Sequence, residues 1–298
     1  MKRSVPARGL RAAYGLTAGT IVLMVVVSAG GVLGSGGLYQ DNPLITATFR
    51  GQDWVTLLVA VPLLGVGLML ERRGSLGGRL LWLAMLFNAM YSYLFYAVGA
   101  AFNVFFLLYV AIFGMAAYAL LFAVLRMDFS PLSGPTGSRT VRGIAISYTL
   151  LVGASLGLLW TGMSLSYLAT GAVPAPILAS GHPTGVVFAI DLVFIVPPML
   201  MSAVWLIRRA PPGWILATLM SVSGTVYTLS LSAASVSVVV AGAGTSAELP
   251  IWAALTLFGA SVSWLLLARL PTGGLTQADG PPQGTRQTRE PPDGRLPA

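Results

Sequence analysis

The chain has 298 residues, of which 56% are hydrophobic and only 9% are charged. A soluble domain carries about 25% charged residues, so this composition excludes an ordinary soluble domain and predicts an integral membrane protein. The formal net charge is +8, but the arginines stand beside apolar runs, where they meet anionic lipid headgroups, so we expect no nucleic acid partner.

Apolar runs long enough to cross a bilayer recur along the whole chain. A hydrocarbon core of about 30 Å requires roughly 20 apolar residues in a helix. The sequence therefore predicts an all-α integral membrane protein in which residues 1–270 form one transmembrane domain. About eight transmembrane helices are expected, at residues 14–36, 53–70, 80–99, 104–126, 143–164, 186–207, 214–239 and 251–269.

Both ends of the chain differ from the runs between them. The first apolar run follows basic residues and contains small residues at 28–30, as a secretory signal peptide does. Because this run is long enough to span the bilayer, we favour an uncleaved first helix. Residues 271–298 are rich in Pro, Gly, Gln and charge, and they lack the apolar surface that would offset the entropy of ordering. We expect this segment to be a disordered cytoplasmic tail.

The positions of the basic residues predict the orientation in the membrane. When successive loops are placed on opposite sides, all 17 Lys and Arg residues except Arg50 fall on the same side. Cytoplasmic loops retain Lys and Arg, so both termini are expected to be cytoplasmic, with the protein in the plasma membrane. The preference for Arg over Lys and for Ala and Gly resembles that of small membrane proteins from high-GC bacteria, a resemblance of composition that implies no activity.

The tryptophans agree with this orientation, because an indole ring favours the headgroup level of the membrane. We expect three of them at outer helix ends, namely Trp54, Trp160 and Trp252. We expect the others near inner helix ends, namely Trp82, Trp205, Trp214 and Trp264.

The two halves of the chain share a pattern. Each half has an outer loop with an X-Pro pair, followed by a helix with an acid near its outer end and an Arg pair at its inner end. A proline precedes the Arg pair by ten residues in both halves, but the acids, Asp53 and Asp191, do not keep the same register. Two parallel four-helix repeats are one interpretation. Chance recurrence of short loops and Arg pairs is the other.

Asp191 is the clearest candidate for a binding site, because an ionisable group inside a bilayer is costly. It lies about five residues into its predicted helix and just before Pro197 and Pro198. These prolines remove backbone donors and are expected to break the helix. A carboxyl group beside freed carbonyls suits a proton or a cation. The alternative is an Asp that hydrogen-bonds a neighbouring helix or reaches the outer surface.

Further polar residues are expected at the outer face. His182, the sole histidine, precedes the Asp191 helix and could relay protons, although a plain loop histidine is the favoured alternative. Arg50 could attract anions at the mouth of a cavity, but a salt bridge with Asp53 or Asp41 is favoured. These residues lack the helical spacing of metal ligands, so we expect no metal and no cofactor.

Two polar stripes lie on predicted helices. Asn88, Ser92 and Tyr96 recur every four residues and share one helix face, and Asn103 follows at the start of the next helix. The seventh predicted helix carries a stripe of hydroxyl groups. Such stripes either pack against a neighbouring helix or line a hydrated path, and packing is favoured. The hydroxyl stripe comprises Thr218, Ser221, Thr225, Thr228, Ser232 and Ser235.

The sequence leaves three functions open. It contains no cysteine and no nucleotide-binding, serine hydrolase or zinc protease motif, so enzymatic activity is not favoured. The first function is proton- or cation-linked transport of a small solute through an outer-half cavity around Asp191. The second is a non-catalytic membrane scaffold or accessory subunit, with Asp191 buried against a donor and no connected cavity. The third is an intramembrane enzyme acting on lipid-type substrates through His182 and Asp191. The residues assigned to the transport site are Asp191, Asp53, His182, Arg50, Asn88, Tyr96 and Asn103, with the helix break at Pro197 and Pro198.

Overall fold

The computed structural model of the protein describes residues 10–34, 37–127, 129 and 138–270. This part of the chain is helical and contains no β-strand. The predicted cytoplasmic tail at 271–298 lies outside it. The helices are α1 (Arg11–Leu33), α2 (Pro43–Val55), α3 (Val61–Arg72), α4 (Leu76–Gly99), α5 (Phe106–Arg126), α6 (Arg139–Thr170), α7 (Ala175–Ser180), α8 (Val186–Phe194), α9 (Val196–Ile207), α10 (Pro211–Val240) and α11 (Leu249–Leu267).

These helices form eight segments that are long and apolar enough to cross a membrane. Six of them are single helices, α1, α4, α5, α6, α10 and α11. The other two are composite. The helix α2 continues through a π-helical turn, Thr56–Ala60, into α3, and α8 continues into α9 after an interruption at Ile195. The prediction of a multi-pass α-helical membrane protein with eight membrane-length helices is thus confirmed.

The second membrane-length helix begins at Pro43, ten residues before the predicted start. Asn42 caps it, since the Asn42 side chain accepts a 2.9 Å hydrogen bond from the backbone N–H of Ile45, and Pro43 occupies the first turn, where a proline needs no donor. The polar residues between Pro43 and Asp53 lower the mean hydropathy of this segment. The sequence therefore did not predict that the helix includes it. As a result Asp53 lies ten residues into the helix, about 15 Å along its axis, and not at its outer end as predicted.

The helix α4 lies at the centre of the bundle. In its most apolar 18-residue stretch 61% of the residues are buried, against at most 39% in the other membrane-length helices. It packs against α3, α5, α8 and α10. Its side chains contribute to two apolar clusters, one built mainly from α1 to α5 and the other from α6 and α8 to α11. This central helix therefore faces both halves of the chain.

Close helix contacts depend on glycine at several positions. In α2, a Cβ atom at Gly51 would lie 2.6 Å from the backbone of Ala233 and Ala234 in α10. In α3, a Cβ atom at Gly67 would lie 2.7 Å from the backbone nitrogen of Trp82 in α4. Between lipid-exposed helices, association is driven by such close packing and by hydrogen bonds, because the lipid tails are as apolar as the side chains.

A buried ion pair joins α3 to α4. Arg79 Nε donates a 3.1 Å hydrogen bond to Glu71 Oε2, and it is the only salt bridge within 4.0 Å among the residues that the structure describes. The predicted helices left residues 71–79 as a loop, but the turn comprises only residues 73–75, because Glu71 and Arg79 lie on helices and are buried. The guanidinium of Arg72 also lies 6.0 Å from the centre of the Tyr14 ring. These contacts fix one end of α1, α3 and α4.

Three tryptophans make contacts inside the helix bundle. Trp82 is fully buried, and its Nε1 donates a 3.1 Å hydrogen bond to Thr17 Oγ1. Trp214 is buried as well. Trp160 lies ten residues before the end of α6 and donates to Asp191. Each of these rings finds its packing or its hydrogen bond inside the bundle, and the interfacial belt stays a prediction. Trp54 also lies within the continuous α2–α3 helix and not at its end.

Candidate functional site

A cavity of about 560 Å³ lies between the central helix α4 and the second half of the chain. Its wall is formed by residues of α2, of α4 and of every helix from α6 to α11, together with the turn between α7 and α8. Most of these side chains are apolar or aromatic. Ligand cavities of roughly 300–1,000 Å³ with an apolar wall and a few polar groups are typical binding sites for small molecules.

Asp191 is the one acidic residue on this wall, as far as the structure describes the chain, and no Lys or Arg lines it. The side chain is buried, with 2% of its surface exposed. Its Oδ1 accepts a hydrogen bond from the Tyr91 hydroxyl, and its Oδ2 accepts one of 2.9 Å from Trp160 Nε1. Two neutral donors from two helices therefore hold the carboxyl group in place.

Aromatic contacts fix both donors. The ring of Trp160 stacks on Phe188, with centroids 4.2 Å apart and planes 18° apart. The ring of Tyr91 packs edge-on against Tyr227 at 5.1 Å. Phe188 lies three residues before Asp191, close to one turn of α8, so the same helix supplies the carboxyl group and the platform for its donor. The donors are thus positioned before any ligand binds.

The helix that carries Asp191 is interrupted shortly after it. The helix α8 ends at Phe194, and Ile195 has φ −107° and ψ −54°. Pro197 and Pro198 occupy the start of α9 and have no N–H, so the carbonyls one turn earlier, at residues 193 and 194, receive no helical hydrogen bond from them. The carbonyl of Asp191 itself accepts from Ile195 N at 2.9 Å. The freed carbonyls therefore belong to the turn after Asp191.

Asp53 belongs to a second buried cluster, separate from the cavity. It lies in α2, is 1% exposed and is absent from the cavity wall. The Tyr39 hydroxyl donates to its Oδ2, and the Tyr96 hydroxyl donates to its Oδ1 at 3.3 Å. Gly31 of α1 faces the same carboxyl group, because a Cβ atom there would overlap Asp53 Oδ2. The prediction that Asp53 and Asp191 share one site is therefore not what the geometry shows.

Tyr39 lies in the segment between α1 and α2 and closes this second cluster. Burial, with a further contribution from the neighbouring Asp53, raises the pKa of the Tyr39 hydroxyl well above its ordinary value. A hydroxyl that stays protonated remains a hydrogen-bond donor at all physiological pH values. Tyr39 thus ties the segment between α1 and α2 to a buried carboxyl group in α2.

His182 lies on the wall of the Asp191 cavity, in the turn before α8. Its ring packs edge-on against Phe95 of α4, with centroids 6.1 Å apart. Its Nε2 atom is buried and has no hydrogen-bond partner among the residues that the structure describes. The structure therefore brings His182 and Asp191 to the same cavity and leaves a polar atom of the histidine available to a ligand.

Arg50 and Asp41 do not form the predicted ion pair. Arg50 is exposed on α2, while Asp53 is buried and its oxygens are occupied by tyrosine hydroxyls. Asp41 Oδ1 accepts a 3.0 Å hydrogen bond from the backbone N–H of Ala101, and its Oδ2 is buried without a partner. The predicted salt bridge of Arg50 with Asp41 or Asp53 is wrong. Asp41 accepts a hydrogen bond from the backbone of Ala101, and Asp53 accepts from two tyrosine hydroxyls.

The polar face of α4 is divided between neighbours. Asn88 Nδ2 donates to the carbonyl of Ser223 in α10 at 3.5 Å, and Ser92 lies on the cavity wall. Tyr96 turns to the Asp53 cluster. Asn103 lies in the turn before α5, where its Nδ2 donates to the Ala101 carbonyl at 3.0 Å. Of the predicted transport site, only Asp191 and His182 lie on the cavity wall.

The hydroxyl stripe of α10 serves mainly as a helix contact. Except for Ser221, its hydroxyl groups donate to carbonyls one turn earlier in the same helix, as in the 2.7 Å bond from Thr225 to the Ser221 carbonyl. Thr228 also accepts a 3.0 Å hydrogen bond from Thr256 of α11. Thr225 lies 3.4 Å from the hydroxyl of Ser263. These bonds agree with the packing interpretation and not with a continuous hydrated path.

The donors at Asp191 were missed by reasoning from the sequence. Tyr91 stood beside the predicted polar face of α4, and Trp160 was assigned to the membrane interface. They lie 100 and 31 residues away from Asp191 along the chain. A tryptophan ten residues inside a 32-residue helix was the one available signal, since an indole N–H at that depth requires a partner.

The described residues contain no group of three or more His, Cys, Asp or Glu side chains that could hold a metal ion. Comparison with known proteins adds no further assignment: no family model, no curated protein and no solved structure matches the chain. The chemistry of the Asp191 cavity therefore stands as the main guide to function.

Proposed function

We propose that the protein is a membrane transporter that carries a small solute through the Asp191 cavity, with binding linked to a proton or another cation. One observation carries this proposal. A buried carboxyl group, with no basic residue beside it among the described residues, lies on the wall of a cavity of about 560 Å³.

Burial of the Asp191 carboxyl group in a membrane has a cost in free energy. An acid inside a membrane is expensive and persists where it has a partner or a function. Tyr91 and Trp160 supply hydrogen bonds but no positive charge. A proton or a cationic solute in the cavity would neutralise the carboxylate. A purely structural acid would not require an adjoining cavity. It would also not require lone pairs on its oxygens that accept no hydrogen bond, which Asp191 has.

The interruption at Ile195 supports the same proposal. Transporters commonly place their binding sites beside discontinuous helices, because the two helical pieces can move relative to each other. Here the interruption follows Asp191 by one turn, and α9 begins with a residue pair that cannot donate, Pro197 and Pro198. Movement at this point would change the surroundings of the carboxyl group.

We further propose that both termini lie in the cytoplasm and that the protein lies in the plasma membrane of a bacterium. The distribution of Lys and Arg supports this orientation. It would place the Asp191 cavity in the outer half of the membrane, because Asp191 is five residues into α8 and the opposite end of α9 precedes Arg208 and Arg209. The two halves of the chain would then be parallel repeats.

The experiment that tests transport is proton flux in sealed vesicles. Purified wild type and Asp191→Asn are reconstituted, and the internal pH is followed after a proton gradient or a solute panel is imposed. We expect a flux in wild type that falls at least about tenfold in Asp191→Asn, the loss expected when a charged hydrogen-bonding partner is removed. Glu248→Gln is the matched control, since Glu248 is an exposed acid outside the cavity wall.

The scaffold alternative has one observation in its favour, the hydrogen bonds that reach both oxygens of Asp191. It predicts no flux from wild type under any gradient or solute. It also predicts that Asp191→Leu fails to accumulate in the membrane, because the donors Tyr91 and Trp160 would lose their acceptor. A transport acid predicts the reverse for insertion, since leucine lowers the cost of placing α8 in the bilayer.

A further inference from the structure

We infer that the solute is a hydrophobic organic cation, and that it reaches the Asp191 cavity from the lipid through a gap between α6 and α11. This inference rests on the proposed transport function and specifies its substrate class and its route.

The sign of the charge follows from the cavity wall. Asp191 is its only acidic residue within the described part of the chain, and no Lys or Arg lines it. A carboxylate that accepts two hydrogen bonds has lone pairs left for a third partner. An anionic solute would meet an uncompensated negative charge in a medium of low dielectric constant, where like-charge repulsion is strong. A cation would neutralise it.

The hydrophobic character of the solute follows from the remaining wall. Trp160, Phe188, Tyr91 and Tyr227 surround the carboxyl group, and the rest of the wall is largely aliphatic. Aromatic faces attract cations, most strongly when water is excluded. A small hydrated metal ion would leave most of a cavity of about 560 Å³ unfilled, whereas an organic cation of drug-like size would fill it.

His182 adds one polar contact. Its Nε2 is buried on the same wall and has no partner within the structure. In the tautomer that leaves Nε2 unprotonated, this atom accepts a hydrogen bond. A protonated amine in the cavity therefore meets one acceptor at Asp191 and a second at His182.

The route follows from the side chains at the edge of the cavity. Leu151 and Leu159 of α6 and Ile251 of α11 line the cavity, yet they are 50%, 45% and 60% exposed. Side chains that belong to a cavity wall and to the outer surface together mark an opening. Ser155 is also exposed and lies between the two leucines on the same face of α6.

The helices α6 and α11 touch beyond this opening. The ring of Tyr148 packs edge-on against Phe258 at 5.3 Å, and a Cβ atom at Gly259 would lie 2.9 Å from the Tyr148 hydroxyl. Apart from Ser155, the exposed wall residues of α6 and α11 in this stretch are the apolar Leu151, Leu159 and Ile251. An apolar opening on the side of a membrane bundle faces lipid, so a solute dissolved in the bilayer can enter there.

The first test is binding of tetraphenylphosphonium to the full chain in lipid nanodiscs, measured by equilibrium dialysis. Tetraphenylborate has the same shape and the opposite charge. We expect wild type and Glu248→Gln to bind the cation and not the anion, and Asp191→Asn to bind the cation at least about tenfold more weakly. Equal binding of both ions, or unchanged binding by a folded Asp191→Asn, would overturn the assignment to cations.

A second variant keeps the test informative if Asp191→Asn does not fold. Ser155→Trp fills the gap between α6 and α11 and leaves Asp191 and its donors in place. We expect it to slow cation binding at least about tenfold, because the opening is narrowed. Unchanged binding kinetics would overturn the lateral route.

The absence of cysteine permits a direct measurement of the route. A spin label on Ser155→Cys is exposed to oxygen, which dissolves in lipid, and to a nickel chelate, which stays in water. We expect collisions with oxygen to dominate, and dominance of the nickel chelate would show an aqueous opening. If tetraphenylphosphonium does not bind while proton flux still depends on Asp191, the substrate class fails and the transport function stands. If that flux is absent too, both fail.

Discussion

At the scale of single residues, two buried aspartates have different surroundings. Asp191 adjoins a cavity and is held by a tyrosine and a tryptophan. Asp53 is held by two tyrosines and lines no part of that cavity. The central helix α4 supplies one hydroxyl to each, Tyr91 to Asp191 and Tyr96 to Asp53. The arrangement suits a functional role for the first acid and a structural role for the second.

The hydrogen bond from Trp160 to Asp191 can be tested by Trp160→Phe. The change keeps an aromatic ring beside Phe188 and removes the N–H, which leaves Asp191 Oδ2 without that donor. Loss of one partner of a buried polar group costs about 1–3 kcal/mol. We expect a loss of this size in the free energy of unfolding in mild detergent.

The control for that measurement is Trp264→Phe. Trp264 is 73% exposed on α11 and makes no described hydrogen bond through its indole nitrogen. It should change the free energy of unfolding by less than about 0.5 kcal/mol. Equal losses in both variants would contradict the assigned role of Trp160.

The sequence alone identifies Asp191, His182 and the proline pair, because an acid within an apolar run is conspicuous. It does not identify the donors, since these come from helices whose neighbours are set by packing. Arg50 shows that a residue can be conspicuous in the sequence and still not form the contact predicted for it. Its charge stood out among the loops, yet the structure leaves it exposed while the nearby acids bond elsewhere.

At the scale of elements, helix contacts through small residues organise the bundle. Gly51 brings α2 against the backbone of α10, with 2.6 Å between the position of a Cβ atom and the nearest backbone atoms. Such a contact involves backbone on one side, so a larger side chain cannot be accommodated by a change of rotamer. The two halves of the chain meet at this contact.

We therefore expect Gly51→Leu to destabilise the protein by at least about 1–3 kcal/mol, the range for overpacked sites. The matched control is Gly65→Leu on the same continuous helix, where a Cβ atom would meet nothing within 4 Å. Thermal unfolding of both variants in detergent gives the comparison. A Gly51→Leu variant as stable as Gly65→Leu would show that α2 and α10 do not pack this closely.

The helices themselves were largely predictable, since apolar length is a direct signal of membrane spans. The early start of α2 was not, because its first turns contain Thr, Arg and Gln. The end of α6 was not either, since the helix continues to Thr170 and stops at Gly171, whose φ of 71° suits glycine. In both cases the local cap, and not hydropathy, sets the boundary.

At the scale of the whole molecule, the orientation in the membrane remains a prediction from the distribution of arginine. Single cysteines can test it in a chain that has none. Ser246 lies exposed in the loop between α10 and α11, and Thr140 lies exposed in the first turn of α6. We expect a membrane-impermeant maleimide to label Ser246→Cys in intact cells and Thr140→Cys only after permeabilisation. Labelling in the opposite order would reverse the orientation and place the Asp191 cavity on the cytoplasmic side.

The two halves share a helix irregularity beside a buried acid, and they differ in how that acid is used. In the first half a π-helical turn follows Asp53, and in the second half an interruption at Ile195 follows Asp191. Of these two acids, only Asp191 lies on the wall of the large cavity. This asymmetry is what we would expect if one site transports a solute while the other holds the bundle together.

We propose that transport depends on the acid in the cavity, Asp191, and not on a buried acid in general. Its most direct test compares proton flux in sealed vesicles for wild type, Asp191→Asn and Asp53→Asn. We predict that Asp191→Asn abolishes the flux and that Asp53→Asn retains it, because asparagine can still accept from Tyr39 and Asp53 lies outside the cavity. Flux that survives in Asp191→Asn but is lost in Asp53→Asn, or no flux from wild type, would contradict the claim.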